Sequence, residues 1–276
     1  MDRTRGAAQH PVRFRIWVIV FLGFLVLPAM AMGDGLGFYF VQITDTHLGI
    51  PLNRVRTARV VAAVNALPME AVCVVHTGDV IDRTHLADTG VMADAVSVFK
   101  GLKPPVHFLP GNNDIRLGMW SPTQTDKTNY EHHFGSLISR AEYKGVVFLF
   151  AYTDPLRQSV AVKGYDPLGA VEKHLAAANG KPIILFHHGP SVQDFYNNRF
   201  HEGWAETIKA NWVKLVNQYN VKAVIAGHFH RDEFHWLGKV PLYVSPPVAE
   251  KWGRQASFRI YEYRDGKIGY TTQYLE

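Results

Sequence analysis

The chain has 276 residues, 47% of them hydrophobic and 19% charged, with a formal net charge of +5 and a single cysteine. This is the profile of one good-sized globular domain, and it excludes a disulfide-stapled scaffold or a charge-rich disordered chain. The basicity sits largely at the start: Arg3, Arg5, Arg13 and Arg15 less Asp2 account for +3 of the +5, leaving +2 for the rest. A domain so near neutrality gives nucleic-acid binding little support.

In chain order, the four arginines precede an uncharged apolar run from Ile16 to about Met32 that ends in Pro28 and Ala29-Met30-Ala31. A basic segment, an apolar stretch and an A-x-A-like end are the marks of a secretory signal. Residues 1–31 are therefore expected to be a signal peptide cut after Ala31, and residues 34–276 the working domain. The alternative is an uncleaved anchor, the one case in which a membrane partner is expected. With no cysteine at the cut, lipid anchoring is not expected. Cys73 lies in the apolar run Ala71-Val72-Cys73-Val74-Val75 and is expected in the core. Export without disulfides suits a bacterial periplasm.

Beyond the signal, apolar strand patterns alternate with helical ones. Strands are predicted over Phe38–Ile43, Ala71–His76, Val106–Leu109, Val146–Tyr152, Pro182–Phe186 and Val221–Ala226. Helices are predicted over Val55–Ala66, Val91–Leu102, Leu168–Ala178 and Trp204–Tyr219. Such alternation argues for an α/β layered domain. The tail reads as strands only, over Glu233–Leu237, Leu242–Ser245, Ser257–Tyr263 and Lys267–Tyr274, the last two joined by Arg264-Asp265-Gly266. The polar stretch Gly118–Thr128 is expected as a surface loop near the site.

Five of the strand-like runs end in metal-ligand chemistry. Asp45 and His47 follow the first, Asp79 the second, Asn112 the third, His187-His188 the fifth and Gly227-His228-Phe229-His230 the sixth. Ligands in open α/β sheets bind at the carboxyl ends of strands. Gly78, Gly111 and Gly227 permit tight turns before the next side chain. Carboxylate, amide oxygen and imidazole at five chain-distant points exceed what one cation needs, so two metals are expected. The donor set, with no thiolate, suits Mn, Fe or Zn and disfavours Ca.

This ordered set resembles the calcineurin-like metallophosphoesterase superfamily, whose blocks run D-x-H, G-D-x-x-D, G-N-H-[DE], H and G-H-x-H. The resemblance covers roughly Phe38 to the end, with some likeness to the phosphodiesterase and acid phosphatase branches. It implies a four-layer α/β/β/α sandwich with a two-metal centre between the sheets. It also implies one metal held by Asp45, His47, Asp79 and His230, and a second by Asp79, Asn112, His187 and His228, with Asp79 bridging. His187 is preferred as the first residue after its strand, and His188 is the fallback. Asn113 and Asp114 are implied as the catalytic groups, and a metal-bridging hydroxide as the nucleophile on a small phosphomonoester or phosphodiester.

Two departures from the pattern matter. Asp82 stands where purple acid phosphatases carry a tyrosine ligand, so a ferric–tyrosinate centre is not expected and Asp82 is read as an outer support, with Arg83. Asn113 stands where many relatives have a histidine, and an amide donates a hydrogen bond but no proton. His85, His132 and His133 are the possible substitutes. The rival reading is a non-catalytic metal-binding or interaction protein on the same fold, with Asn113 marking lost activity.

Overall fold

The computed structural model describes residues 37–194, 203–250 and 253–276. The expected signal or anchor lies outside the described residues. Among the described residues, no helix is long and apolar enough to cross a membrane.

The strands are β1 (Phe38–Ile43), β2 (Ala71–His76), β3 (Val106–Phe108), β4 (Ile138–Tyr143), β5 (Val146–Ala151), β6 (Ile183–Phe186), β7 (Val221–Ala226), β8 (Glu233–Leu237), β9 (Val240–Val244), β10 (Ala256–Arg264) and β11 (Lys267–Leu275). The helices are α1 (Pro51–Asn65), α2 (Thr89–Phe99), α3 (Thr123–Phe134), α4 (Asp154–Arg157), α5 (Pro167–Ala176) and α6 (Glu206–Gln218). The strands form a five-stranded sheet, β11-β10-β1-β2-β3, and a six-stranded sheet, β4-β5-β6-β7-β9-β8.

Period-2 alternation along each strand sorts the side chains into layers. Phe38 and Phe40 of β1 meet Phe148 of β5, Phe186 of β6 and Ile225 of β7 in the core between the sheets. The Phe40 and Phe148 rings cross edge to face at 5.0 Å. The opposite faces pack outward. Val41, Ile43 and Val74 lie under α1 and α2, with Val60, Val64, Ala95 and Phe99. Val147, Leu185 and Val224 lie under α5 and α6, with Leu175, Trp212 and Val216. The result is the four-layer α/β/β/α sandwich expected from the sequence.

Besides the four-residue helix α4, which was not expected, two segments differ from their expected structure. The stretch expected as a loop over Gly118–Thr128 becomes α3 from Thr123 onward. Its helical signal is thin because only Asp126, Tyr130 and Phe134 are buried, one residue per turn. Asp126 is fixed by Arg116, whose Nε and Nη2 donate to its two oxygens at 2.8 and 2.7 Å. The sequence reading also missed β4, an edge strand of polar and half-buried residues that pairs antiparallel with β5.

A candidate two-metal centre between the sheets

The parallel pairing of β1 with β2 continues past the strand ends into their loops. Asp45 N donates to Gly78 O at 3.0 Å, His47 N to Asp79 O at 3.1 Å, and Leu48 N to Val80 O at 2.8 Å. The loops after β6 and β7 are joined likewise, through Gly227 N to His188 O at 3.0 Å. The two pairs meet across the sheets where His228 N donates to Asp45 Oδ2 at 3.0 Å.

Glycine makes that approach possible. A Cβ on Gly227 would lie 2.1 Å from Thr44 Oγ1 and 2.6 Å from Asp45 Oδ2. One on Gly111 would lie 2.2 Å from Asp79 Oδ1. Five site residues bear backbone strain as well: Asp45, His47, Asp79, His228 and His230 have φ of +52°, +42°, +54°, +67° and +55°. Left-handed backbone at non-glycine residues collects at functional sites because it aims side chains that relaxed turns would not.

Two buried groups result, Asp45 with His47 and His230, and Asp79 with His188 and His228, the ligand atoms of each lying within 4.8 Å of one another. The groups adjoin. His47 Nε2 lies 3.7 Å from Asp79 Oδ2, and His188 Nε2 lies 3.3 Å from Asp79 Oδ1. Asp79 thus turns one oxygen toward each group. Asn112 joins the second group, its Oδ1 lying 3.1 Å from His188 Nε2.

His187 is not brought to this cluster. The strand alternation places Ile184 and Phe186 between the sheets and Ile183 and Leu185 beneath the helices, so His187 faces outward and His188 inward. His187 packs against Trp204 and Trp212 at 5.8 and 5.4 Å, where burial and His188 push its pKa down to about 3. His188, the fallback of the sequence expectation, and not His187, stands in the Asp79 group, and the alternation that places it was present in the sequence.

His188 Nδ1 pairs with the Thr77 carbonyl at 2.8 Å, and only N–H can be the donor there, so Nε2 faces the two carboxylates. Burial disfavours charge on His188, but Asp79 and Asp45 outweigh it and raise its pKa to about 10. Burial would likewise raise Asp79 and Asp45. The surrounding imidazoles, His188 first for Asp79 and His230 first for Asp45, hold both below the usual carboxylate range. Two buried, ionised carboxylates ringed by imidazoles form a pocket that requires positive charge.

The expected catalytic pair is placed differently from its assigned roles. Asn113 donates to Asp79 with both its backbone N–H, at 2.8 Å to Oδ1, and its side-chain amide, to Oδ2. Asp114 is buried behind the loop, where Oδ1 accepts from Ile81 N at 2.9 Å and Oδ2 from Gly111 N at 2.8 Å. Burial and the nearby Asp79 push its pKa up to about 7. It clamps the Asp79 and Asn112 loops together, with both carboxylate oxygens engaged by backbone N–H groups. Asp82 caps the short turn Arg83–His85 by accepting from Thr84 N at 3.0 Å.

The residues present fit a pair of cations. Each group offers three hard or borderline donors, with an amide oxygen beside the second, in a cradle that glycine keeps open. The sequence profile of the calcineurin-like phosphoesterases matches residues 38–232. The chain belongs to that family. This calcineurin-like phosphoesterase is accordingly a metal-dependent enzyme, and the family together with the two ligand groups points to two metal ions.

No curated protein matches the sequence. Among solved structures, the chain is similar to a dimetal phosphatase from Danio rerio, with 15% identity, a TM-score of 0.58, and coverage of 87% of this chain and 99% of that one. It is similar to a purple acid phosphatase from yellow lupin seeds, with 13% identity, a TM-score of 0.61 and coverage of 87% of this chain and 53% of that chain, so it spans about half that relative's length. It is also similar to GAP50, the anchor in the inner membrane complex of Plasmodium, with 11% identity, a TM-score of 0.58 and coverage of 87% and 89%. At these identities the likeness is one of fold.

Proposed function

We propose that this calcineurin-like phosphoesterase hydrolyses small phosphomonoesters or phosphodiesters with two cations that Asp79 and the residues on either side of it would hold. The observation that carries the reading is the Asp79 carboxylate, with one oxygen toward His188 and the other toward His47. Asp45, His47 and His230 would hold one cation with Asp79. Asn112, His188 and His228 would hold the other. Manganese, iron or zinc suits this oxygen–nitrogen set, which has no thiolate. Held there, two cations would supply acidity to a bound water and positive charge toward the phosphoryl oxygens.

The chain's own groups prepare that chemistry. The Thr77 carbonyl accepts from His188 Nδ1, so Nε2 faces the centre and would offer its lone pair to a cation that takes the place of its proton. Asn113 orients Asp79 through two hydrogen bonds and supplies no proton to a leaving group. The reaction proposed therefore takes no leaving-group proton from position 113. The family and the donor set both support the hydrolase over an interaction protein on the same fold. The reading also takes the protein as exported, on the charge and hydropathy pattern of residues 1–31.

The test is Asp79→Ala with elemental analysis. Wild-type protein is expected to carry two metal ions per chain, and the variant fewer than two, with turnover lost in step. A variant that keeps both metals and its activity would sink the role given to Asp79.

A further inference from the structure

Within the largely aromatic and aliphatic core between the sheets, Gln42 is fully buried near the end of β1, beside its register partner Arg259 on β10. Its amide reaches both sheets. Nε2 donates to Thr77 Oγ1 at 2.8 Å, at the end of β2, and to the Ala226 carbonyl at 2.9 Å, at the end of β7. Oε1 accepts from the Tyr261 hydroxyl at 3.0 Å. Tyr261 oxygen in turn accepts from Arg259 Nη1 at 3.3 Å, and Arg259 pairs with Asp232 at 2.8 Å.

Arginine has no acceptor, so the polarity of this chain runs one way, from guanidinium to phenol to amide. That fixes which end of the Gln42 amide faces the strand ends. Both amide hydrogens are committed, one to each sheet. Each anchored residue is separated from a metal-group residue by one glycine: Thr77-Gly78-Asp79 in the first sheet and Ala226-Gly227-His228 in the second. Both metal groups straddle the sheets. Asp45 and His47 come from the first sheet and His230 from the second, while Asp79 comes from the first and His188 and His228 from the second. The spacing between the sheets at this point is therefore a dimension of both metal sites.

We infer that Gln42 is a positioning residue: its carboxamide clips the ends of β2 and β7 together and sets the distance at which the two half-sites face each other. The inference rests on the two-metal reading above. Gln42 itself touches neither cation nor substrate. It acts through Thr77, whose carbonyl also holds His188, and through Ala226.

Gln42→Met keeps the length of the side chain and removes all three hydrogen bonds. In the full chain, stripped of metal and titrated with Mn²⁺ by calorimetry, this variant is expected to bind the weaker-held ion about 10–100-fold less tightly, the usual effect of losing a group that orients ligands. Thr77→Val and Tyr261→Phe, which remove one hydroxyl each, are expected to shift the same affinity in the same direction. The double variant Gln42→Met/Thr77→Val should lose less than the sum of the two. The two single-hydroxyl variants carry the test if Gln42→Met does not fold. A purely structural role would lower the unfolding temperature of the metal-free variants and leave both affinities at wild-type values, which overturns the inference. Wild-type protein that binds fewer than two Mn²⁺ overturns the metal-centre reading instead, before any variant is compared.

Discussion

Left-handed backbone at Asp45, His47, Asp79, His228 and His230 costs on the order of 1–2 kcal/mol at each residue. The fold bears this cost because each loop is tied on both sides, through Asp45 N to Gly78 O and His47 N to Asp79 O in one sheet and through Gly227 N to His188 O in the other. Strain of this kind directs donors inward and leaves little freedom in where they point. It also makes neighbouring residues unequal. His188 faces Asp79 and Asp45, whereas His187 rests on Trp204 and Trp212. His188→Ala is expected to lower bound metal from two ions per chain toward one and to abolish turnover. His187→Phe, a swap of similar volume, should change stability by no more than about 1.5 kcal/mol and keep two metals. Metal analysis and thermal unfolding of the two variants check this, and loss of metal from the His187 variant alone would reverse the assignment.

At the scale of elements, the closest approach is between the β7 turn and the β1 loop. Gly227 has nothing wider than a hydrogen to offer, because a methyl group there would meet Thr44 Oγ1 and Asp45 Oδ2 well inside contact distance. Gly227→Ala is expected to destabilise the protein by about 1–3 kcal/mol, as overpacking does, and to weaken metal binding because Asp45 must move. Denaturant unfolding and metal titration measure both, and unchanged values would mean that the loops approach less closely than described. The glycines before Asp79, Asn112 and His228 were legible in the sequence, as was every strand that delivers a donor, because apolar runs ending in ligand residues carry their own signal. The edge strand β4 and helix α3 were not, since each buries too few apolar residues to show a period. Asp114 was legible as a site residue, expected in a catalytic role, but not as a clamp. Its two backbone donors, Ile81 and Gly111, are set by folding and not by spacing.

Across the whole molecule, the centre joins two sheets that share an apolar core and polar ties gathered largely at the strand ends, such as His188 to Thr77 and His228 to Asp45. The layered fold could be inferred from the alternation of strands and helices, but Gln42 could not be singled out. A glutamine on a strand usually reads as a solvent-facing residue, and only the second sheet closing over it makes it a clip. Cations bound between the sheets should hold them together. With metal at roughly 100 times its dissociation constant, each site contributes about 2.7 kcal/mol. Chelation is therefore expected to lower the unfolding midpoint by roughly 10–20 °C for a domain of this size. Calorimetric scans with and without chelator read that shift, and coincident scans would argue against cations bridging the sheets.

The central claim is that two cations on these side chains hydrolyse phosphate esters. Its most direct test is to titrate the metal-free protein with Mn²⁺ while following hydrolysis of bis-p-nitrophenyl phosphate and p-nitrophenyl phosphate. The account predicts turnover of at least one ester that rises as the second ion binds. Two bound ions with no turnover of either ester would contradict it and favour a metal-binding interaction protein.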